Sequence, residues 1–144
     1  MATERTAEVT WHGDLMSGSG RVDSVSSGAL GGLDVDWRAR SEDVEAKTSP
    51  EELIAAAHAT CLSMALSHGL AQAGHPADEL KTSATVTFQP GEGITKIALQ
   101  VTGTVPDTSE HDFRQAAETA KDNCPVSKAL ASVPEISLDA RLQG

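Results

Sequence analysis

Two cysteines and one histidine are the side chains of this sequence whose types and spacing could carry chemistry. Cys61 lies within Ala-Thr-Cys-Leu-Ser-Met, His58 precedes it by three residues, and Cys124 stands directly before Pro125. A thiolate is a nucleophile, and two neighbouring thiols can form a disulfide, so this set suits nucleophilic or redox chemistry. The alternative is that both cysteines are small buried apolar residues, as free cysteines often are.

The surroundings of the two cysteines predict opposite effects on their pKa values. The apolar neighbours of Cys61 should raise the pKa of its thiol, so reactivity would require a cation brought in from elsewhere. Cys124 stands where one helix ends and Pro125 can begin another. The N-terminus of that second helix would lower the pKa of the Cys124 thiol.

His58 and Cys61 face the same side of a helix, which would allow a Cys–His nucleophile pair or a metal site shared with Cys124. Metal sites usually have four protein ligands, or three and a water, and the sequence has no further cluster of Cys and His. We therefore favour a core histidine whose ring is hydrogen-bonded, and we expect no metal.

The element that must position Cys61 is a long helix between Ser49 and Gly74. Ser49 is a preferred N-cap, Pro50 suits the first helical position, and Glu52 completes a capping box. Gly74 is a typical stop. No Lys, Arg, Asp or Glu occurs from Leu53 to Ala73, so we expect burial almost all round. A chain of 144 residues hardly covers a helix of about 36 Å, which indicates that a partner subunit helps.

The remaining patterns predict an α+β fold in one domain, residues 1–144. Alternating apolar residues predict strands, and Ser109 predicts the start of a second helix that ends before Pro125. Three strands precede the long helix, the third ending with Arg38 and Arg40. The segments in order are strands over 7–15, 19–27 and 33–37, a loop over 41–48, a hairpin centred on 89–93, a short turn over 126–131 and a strand over 136–142.

Composition excludes several classes of function. The net charge of −10 argues against binding to nucleic acids or to anionic membranes, since both need an excess of Lys and Arg. The polar N-terminus lacks the apolar region of a signal peptide, and polar residues interrupt the long helix, so we expect no membrane span and a cytoplasmic protein. In a reducing cytosol, a bond between the two cysteines would be catalytic or redox-sensing.

Two segments resemble one known family. Residues 48–67, which contain Ala-His-Ala-Thr-Cys, and residues 123–130, which contain Cys-Pro-Val-Ser, are similar to the osmotically inducible protein C (OsmC) family and its relatives, the organic hydroperoxide resistance proteins. The forms of both motifs resemble the OsmC branch. The likeness extends to residues 10–14 and 93–99, so it covers nearly the whole chain.

The resemblance implies a thiol peroxidase without a cofactor or metal, built as an intertwined homodimer with antiparallel sheets around a long buried central helix. Cys61 matches the family's peroxidatic cysteine and Cys124 its resolving cysteine, which implies a Cys61–Cys124 disulfide. Glu51 matches the active-site glutamate. Arg40, rather than Arg38, matches the active-site arginine, which would hold Cys61 as a thiolate. The implied substrates are organic hydroperoxides and, less well, hydrogen peroxide, and the implied reductant is a dithiol such as a lipoylated protein.

Two further expectations concern the pocket and the subunit interface. The apolar neighbours Leu62 and Met64 should favour organic hydroperoxides. Glu51 and Cys61 are ten residues apart on one helix, about 15 Å along its axis, so Glu51 should serve the Cys61 of the partner subunit. The rival interpretation is a non-enzymatic dimeric domain that binds a small ligand in an apolar cleft, with both cysteines inert.

Overall fold

The computed structural model describes residues 1–42 and 45–143. They form the α+β fold that the sequence predicts and divide into two compact units, Met1–Leu53 and Ile54–Gly144. In chain order, the elements are β1 (Ala7–His12), β2 (Ser19–Val25), β3 (Gly31–Val35), α1 (Trp37–Ser41), α2 (Pro50–Gln72), β4 (Glu79–Gln89), β5 (Gly93–Thr104), α3 (Glu110–Asn123), α4 (Pro125–Ala129) and β6 (Glu135–Leu142).

The first unit contains an antiparallel sheet in the order β1-β2-β3. Val22 lies at its centre, opposite Val9 on one side and Leu33 on the other, and is buried. The first two predicted strands are confirmed with earlier ends. β1 ends before Gly13, whose positive φ of 90° turns the chain out of the strand.

The third strand departs from its predicted end. We expected it to continue through Trp37, with Arg38 and Arg40 closing it, but β3 ends at Val35 and the two arginines lie on the short helix α1. The reason is a local cap: the Asp36 carboxylate accepts a hydrogen bond from the N–H of Ala39 at 2.8 Å. The loop predicted over 41–48 includes residues 43 and 44, which lie outside the described residues.

Helix α2 begins and ends at the predicted signals. The Ser49 hydroxyl accepts the N–H of Glu52 at 3.2 Å, while the Glu52 carboxylate accepts the hydroxyl of Thr48 at 3.0 Å. At the other end Gly74 adopts a φ of 87°. The N–H groups of Gly74 and His75 bond the carbonyls of Ala71 and Leu70, the double closure of a Schellman motif.

One face of α2 packs into the core of the second unit. Leu62, Leu66 and Leu70 recur every four residues and are almost completely buried, whereas Met64 on another face is 68% exposed. A single chain therefore covers less of this helix than its composition predicts. In the part of the chain that the structure describes, α2 is also long and apolar enough to cross a membrane by length and composition, as are core helices of soluble proteins.

The second unit places a three-stranded sheet in the order β4-β5-β6 against that face. The predicted hairpin is confirmed, because β4 and β5 pair antiparallel around a tight turn. The predicted antiparallel pairing is confirmed in both sheets, and one edge differs, where β6 pairs parallel to β5. Parallel pairing requires a crossover connection, and α3 and α4 lie within it.

Helix α3 lies between those parallel strands and closes the core. Its N-cap Ser109 accepts the N–H of Asp112 at 3.1 Å, as the sequence predicts. Phe113 on its apolar stripe is fully buried, and a side chain at Gly103 of β5 would lie 2.5 Å from the Phe113 ring. This close approach explains the glycine in a buried strand.

Candidate active site

The junction between α3 and α4 holds Cys124. The residue before a proline favours an extended backbone, and Cys124 has φ −61° and ψ 122°. Its N–H bonds the Ala120 carbonyl at 2.8 Å, which closes α3, and its carbonyl accepts the N–H of Lys128 at 3.0 Å, which starts α4. The two helix ends thus hold the backbone of Cys124 from both sides, and its side chain is completely buried.

Cys61 lies on α2, and its thiol interacts with that of Cys124, so that each affects the pKa of the other. Both cysteines are free thiols. Cys61 is partly exposed, whereas Cys124 is not. The fold thus brings together two sulfur atoms that are 63 positions apart in the sequence, with one of them open to solvent.

The pKa values of the two thiols move in opposite directions, as their surroundings in the sequence predict. Burial raises the pKa of Cys61, and its hydrogen bond to the Cys124 sulfur raises it further. For Cys124 burial also acts upward, but hydrogen bonds from the Cys61 thiol, from Ser127 and from the N–H of Val126 lower the pKa overall. Within a single chain, the thiol of Cys124 therefore loses its proton more readily than the thiol of Cys61 does.

His58 is a buried core histidine, as we favoured, but only one of its ring nitrogens is hydrogen-bonded. Its Nε2 lies 2.7 Å from the Ser127 hydroxyl. Among the described residues, Nδ1 has no hydrogen-bond partner. Burial lowers the pKa of the ring, which favours the neutral form of His58. Sequence reasoning missed Ser127, although it belongs to the Cys-Pro-Val-Ser motif.

A second pair of predicted site residues lies in the first unit. The Nε of Arg40 is 3.2 and 3.1 Å from the two carboxylate oxygens of Glu51, and a terminal nitrogen is 3.1 Å from Oε2. Glu51 is only 6% exposed, so this carboxylate is paired and nearly dry. Arg38 instead pairs with Glu42 at 3.2 Å on the surface. The structure therefore joins Glu51 to Arg40.

No metal centre is built from the residues that the structure describes. Across residues 1–42 and 45–143, no three side chains among His, Cys, Asp and Glu come together in a way that could hold an ion. The reactive groups that the geometry offers are the thiol pair and the arginine–glutamate pair. Two adjacent thiols can exchange between dithiol and disulfide, and a fixed guanidinium can stabilise an anion.

The chain is similar to known proteins along nearly its whole length. The family model described as OsmC-like protein matches residues 41–139. The chain is 40% identical to Peroxiredoxin OsmC of Escherichia coli (strain K12) over 99% of both chains. It is 30% identical to Organic hydroperoxide resistance protein-like 2 of Staphylococcus saprophyticus over 64% of this chain and 66% of the relative.

A solved structure shows the same fold at lower identity. The crystal structure of an organic hydroperoxide resistance protein from Elizabethkingia anophelis superposes with a TM-score of 0.71. The match covers 99% of this chain and 100% of the other, at 21% sequence identity. The similarity supports the arrangement of helices and sheets described above.

Proposed function

Since the chain belongs to the OsmC-like protein family, we propose that it is a cysteine-based peroxidase that reduces organic hydroperoxides to alcohols. The observation that carries this proposal is that the fold places the thiols of Cys61 and Cys124 near enough to affect each other's pKa, with one partly exposed and one buried. A peroxidase of this kind needs an accessible sulfur that meets the substrate and a protected sulfur close enough to form a disulfide.

In the first step the Cys61 thiolate attacks one oxygen of the hydroperoxide. A sulfur–oxygen bond forms, the oxygen–oxygen bond breaks, and the alkoxide leaves and takes up a proton as the alcohol. In the second step the Cys124 sulfur attacks the Cys61 sulfenic acid, and water leaves as the disulfide forms. A dithiol reductant then returns both cysteines to thiols by exchange.

The first step needs a cation, because the surroundings of Cys61 raise the pKa of its thiol. We assign this role to Arg40, whose guanidinium is always charged and is oriented by Glu51 through paired hydrogen bonds. A thiolate stabilised in this way would be available at neutral pH. Glu51 acts by holding the arginine, not by touching the substrate.

The assignment of Arg40 predicts a difference between two neighbouring arginines. Arg40→Lys loses the paired geometry with Glu51 and should lower kcat/KM by about tenfold or more, since removing one preorganised donor costs about 10²–10³ in rate. Arg38→Lys is the matched control, because its partner Glu42 lies on the surface. Steady-state kinetics of both variants test the assignment. Equal losses in the two variants would contradict it.

Substrate preference follows from the side chains near Cys61. Leu62 is fully buried in the core and cannot line a pocket, whereas Met64 is exposed one turn beyond Cys61. A methylene group buried against Met64 is worth about 0.8 kcal/mol, or roughly fourfold in kcat/KM. We expect cumene hydroperoxide to exceed hydrogen peroxide in kcat/KM, and Met64→Ala to reduce the value for cumene hydroperoxide.

The control for this prediction is Met16→Ala, which removes an equally exposed methionine from the first unit. It should leave both substrates unchanged. Equal kcat/KM values for hydrogen peroxide and cumene hydroperoxide in the unmodified protein would contradict an apolar pocket.

Titration of free thiols tests the proposed function itself. The chain has two cysteines, and one equivalent of cumene hydroperoxide should remove both thiols and release one equivalent of alcohol. Cumyl alcohol serves as the control, since it has the same shape without the reactive bond. If both thiols persist while the hydroperoxide binds, the protein is a ligand-binding domain with inert cysteines.

We further infer that the protein acts in the cytoplasm as a homodimer. The apolar α2 has an exposed face in the single chain that includes Ala56 and Ala57, and a second copy would cover it. A dithiol such as a lipoylated protein would supply the electrons. Sedimentation of the reduced protein tests the oligomeric state, for which we expect twice the chain mass of 15.0 kDa.

A further inference from the structure

One buried polar side chain has no role in the mechanism above. His58 is completely buried on α2, and its Nε2 lies 2.7 Å from the hydroxyl oxygen of Ser127. Ser127 is itself buried on α4, three residues after Cys124, which is the N-cap of that helix. The Ser127 hydroxyl acts to lower the pKa of the Cys124 thiol. The histidine therefore reaches the first turn of α4, beside Cys124, through one hydroxyl group.

The unpartnered ring nitrogen determines the direction of these hydrogen bonds. A neutral imidazole has one nitrogen that donates and one that accepts. Among the described residues the Nδ1 of His58 has no partner, and a buried donor without a partner is rarer than a buried acceptor without one. We therefore assign the proton to Nε2, which donates to the Ser127 oxygen. The hydrogen of the Ser127 hydroxyl is then free to point at the Cys124 sulfur.

We propose that His58 and Ser127 are positioning residues for the resolving step: the Nε2–H of His58 fixes the Ser127 hydroxyl so that it donates to the Cys124 sulfur. This inference rests on the proposed peroxidase function and adds two residues that would act in its second step. The step itself balances as before: the Cys124 thiol loses its proton, its sulfur bonds to the Cys61 sulfur, and the hydroxide released from the sulfenic acid leaves as water.

Burial makes this donor important. The Cys124 side chain is completely buried, so solvent cannot stabilise the thiolate. Against the effect of burial, the Ser127 hydroxyl and the backbone N–H groups of Val126 and Ser127 act to lower the pKa of this thiol. The backbone groups are held by α4, but a hydroxyl rotates freely about its bond. The contact with His58 removes that freedom.

The inference separates the two halves of the reaction. Attack of Cys61 on the hydroperoxide does not require the Cys124 thiolate, so loss of Ser127 should leave sulfenic acid formation intact. Formation of the disulfide does require it. The sulfenic acid would then persist longer and be oxidised further to the sulfinic acid at high peroxide.

The test uses Ser127→Ala, His58→Leu and His58→Gln in the full-length protein. Rapid quenching with a sulfenic acid trap and mass spectrometry follows both steps after one equivalent of cumene hydroperoxide. A hydrogen bond to a charged group that is lost should slow disulfide formation about tenfold or more in Ser127→Ala and His58→Leu. His58→Gln places an amide N–H near the position of Nε2 and should resolve at nearly the rate of the unmodified protein.

Ser63→Ala is the matched control, since Ser63 also lies on α2 and its hydroxyl bonds Thr82 at 2.7 Å and the Ala59 carbonyl rather than a cysteine. Disulfide formation at an unchanged rate in Ser127→Ala would overturn the inference, as would an equal slowing of both steps or a failure of His58→Gln to restore the rate. If His58→Leu does not fold, the rates of Ser127→Ala and His58→Gln still test the inference. A wild-type protein that forms no sulfenic acid would instead refute the proposed function.

Discussion

Replacing Cys61 by serine will abolish peroxidase activity, with a loss of at least about a thousandfold in kcat/KM. A serine hydroxyl is not ionised at neutral pH, and the proposed mechanism includes no base that would activate it. No nucleophile therefore remains to attack the oxygen–oxygen bond. Turnover is measured by loss of cumene hydroperoxide in the presence of a dithiol. Circular dichroism of the variant confirms that the fold is retained.

Replacing Cys124 by serine will have a different result. Cys61 can still reduce one equivalent of hydroperoxide, but its sulfenic acid has no thiol partner within the fold. With excess hydroperoxide, mass spectrometry should show sulfinic and sulfonic acids at Cys61. An unmodified Cys124→Ser protein after peroxide, or a Cys61→Ser protein that still turns over, would show that the two roles are wrongly assigned.

Two inactive variants should restore activity when their subunits are mixed. Glu51 and Cys61 lie on the continuous helix α2, ten residues apart, which corresponds to about 15 Å along the axis and a rotation of about 80°. A glutamate side chain cannot span that distance, and an arginine between them would be at full stretch. We therefore expect each site to combine Glu51 of one subunit with Cys61 of the partner subunit.

Exchange between Glu51→Ala and Cys61→Ser dimers should then give heterodimers with about one working site each. The matched control mixes the unmodified protein with the double variant Glu51→Ala/Cys61→Ser. If the sites form between subunits, those control heterodimers have no working site. If each site forms within one subunit, the control heterodimers have one working site and the heterodimers of the first mixture have none. Activity is measured after exchange is verified by native mass spectrometry.

Much of the fold could be predicted because helix ends are local signals. Ser49, Gly74 and Ser109 act on backbone groups within a few residues, and each lies where the sequence places it. The end of β3 is also local, but two signals compete there. The alternation through Trp37 favours a strand, and the Asp36 cap favours the helix α1 that forms.

Long-range pairings could not be predicted in the same way. The parallel alignment of β6 on β5 depends on the path of the chain through α3 and α4. Apolar and polar residues alternate in the same way in parallel and antiparallel strands that have one buried face, so the sequence pattern does not distinguish them. The contact of His58 with Ser127 joins residues 69 positions apart. The cysteines were identified through their motifs, whereas the serine between His58 and Cys124 was not.

In the proposed cycle, the unequal exposure of the two sulfur atoms would also determine how the enzyme is regenerated. A reductant must strike one sulfur of the Cys61–Cys124 disulfide, and the side chain of Cys124 is completely enclosed. The incoming thiolate would therefore bond to Cys61, form a mixed disulfide there, and expel Cys124. A thiol of lower pKa is a better leaving group, and Ser127 and the N–H of Val126, which stay beside Cys124 when Cys61 is in the mixed disulfide, act to lower its pKa. Electrons would thus enter through the same sulfur atom from which the peroxide had removed them.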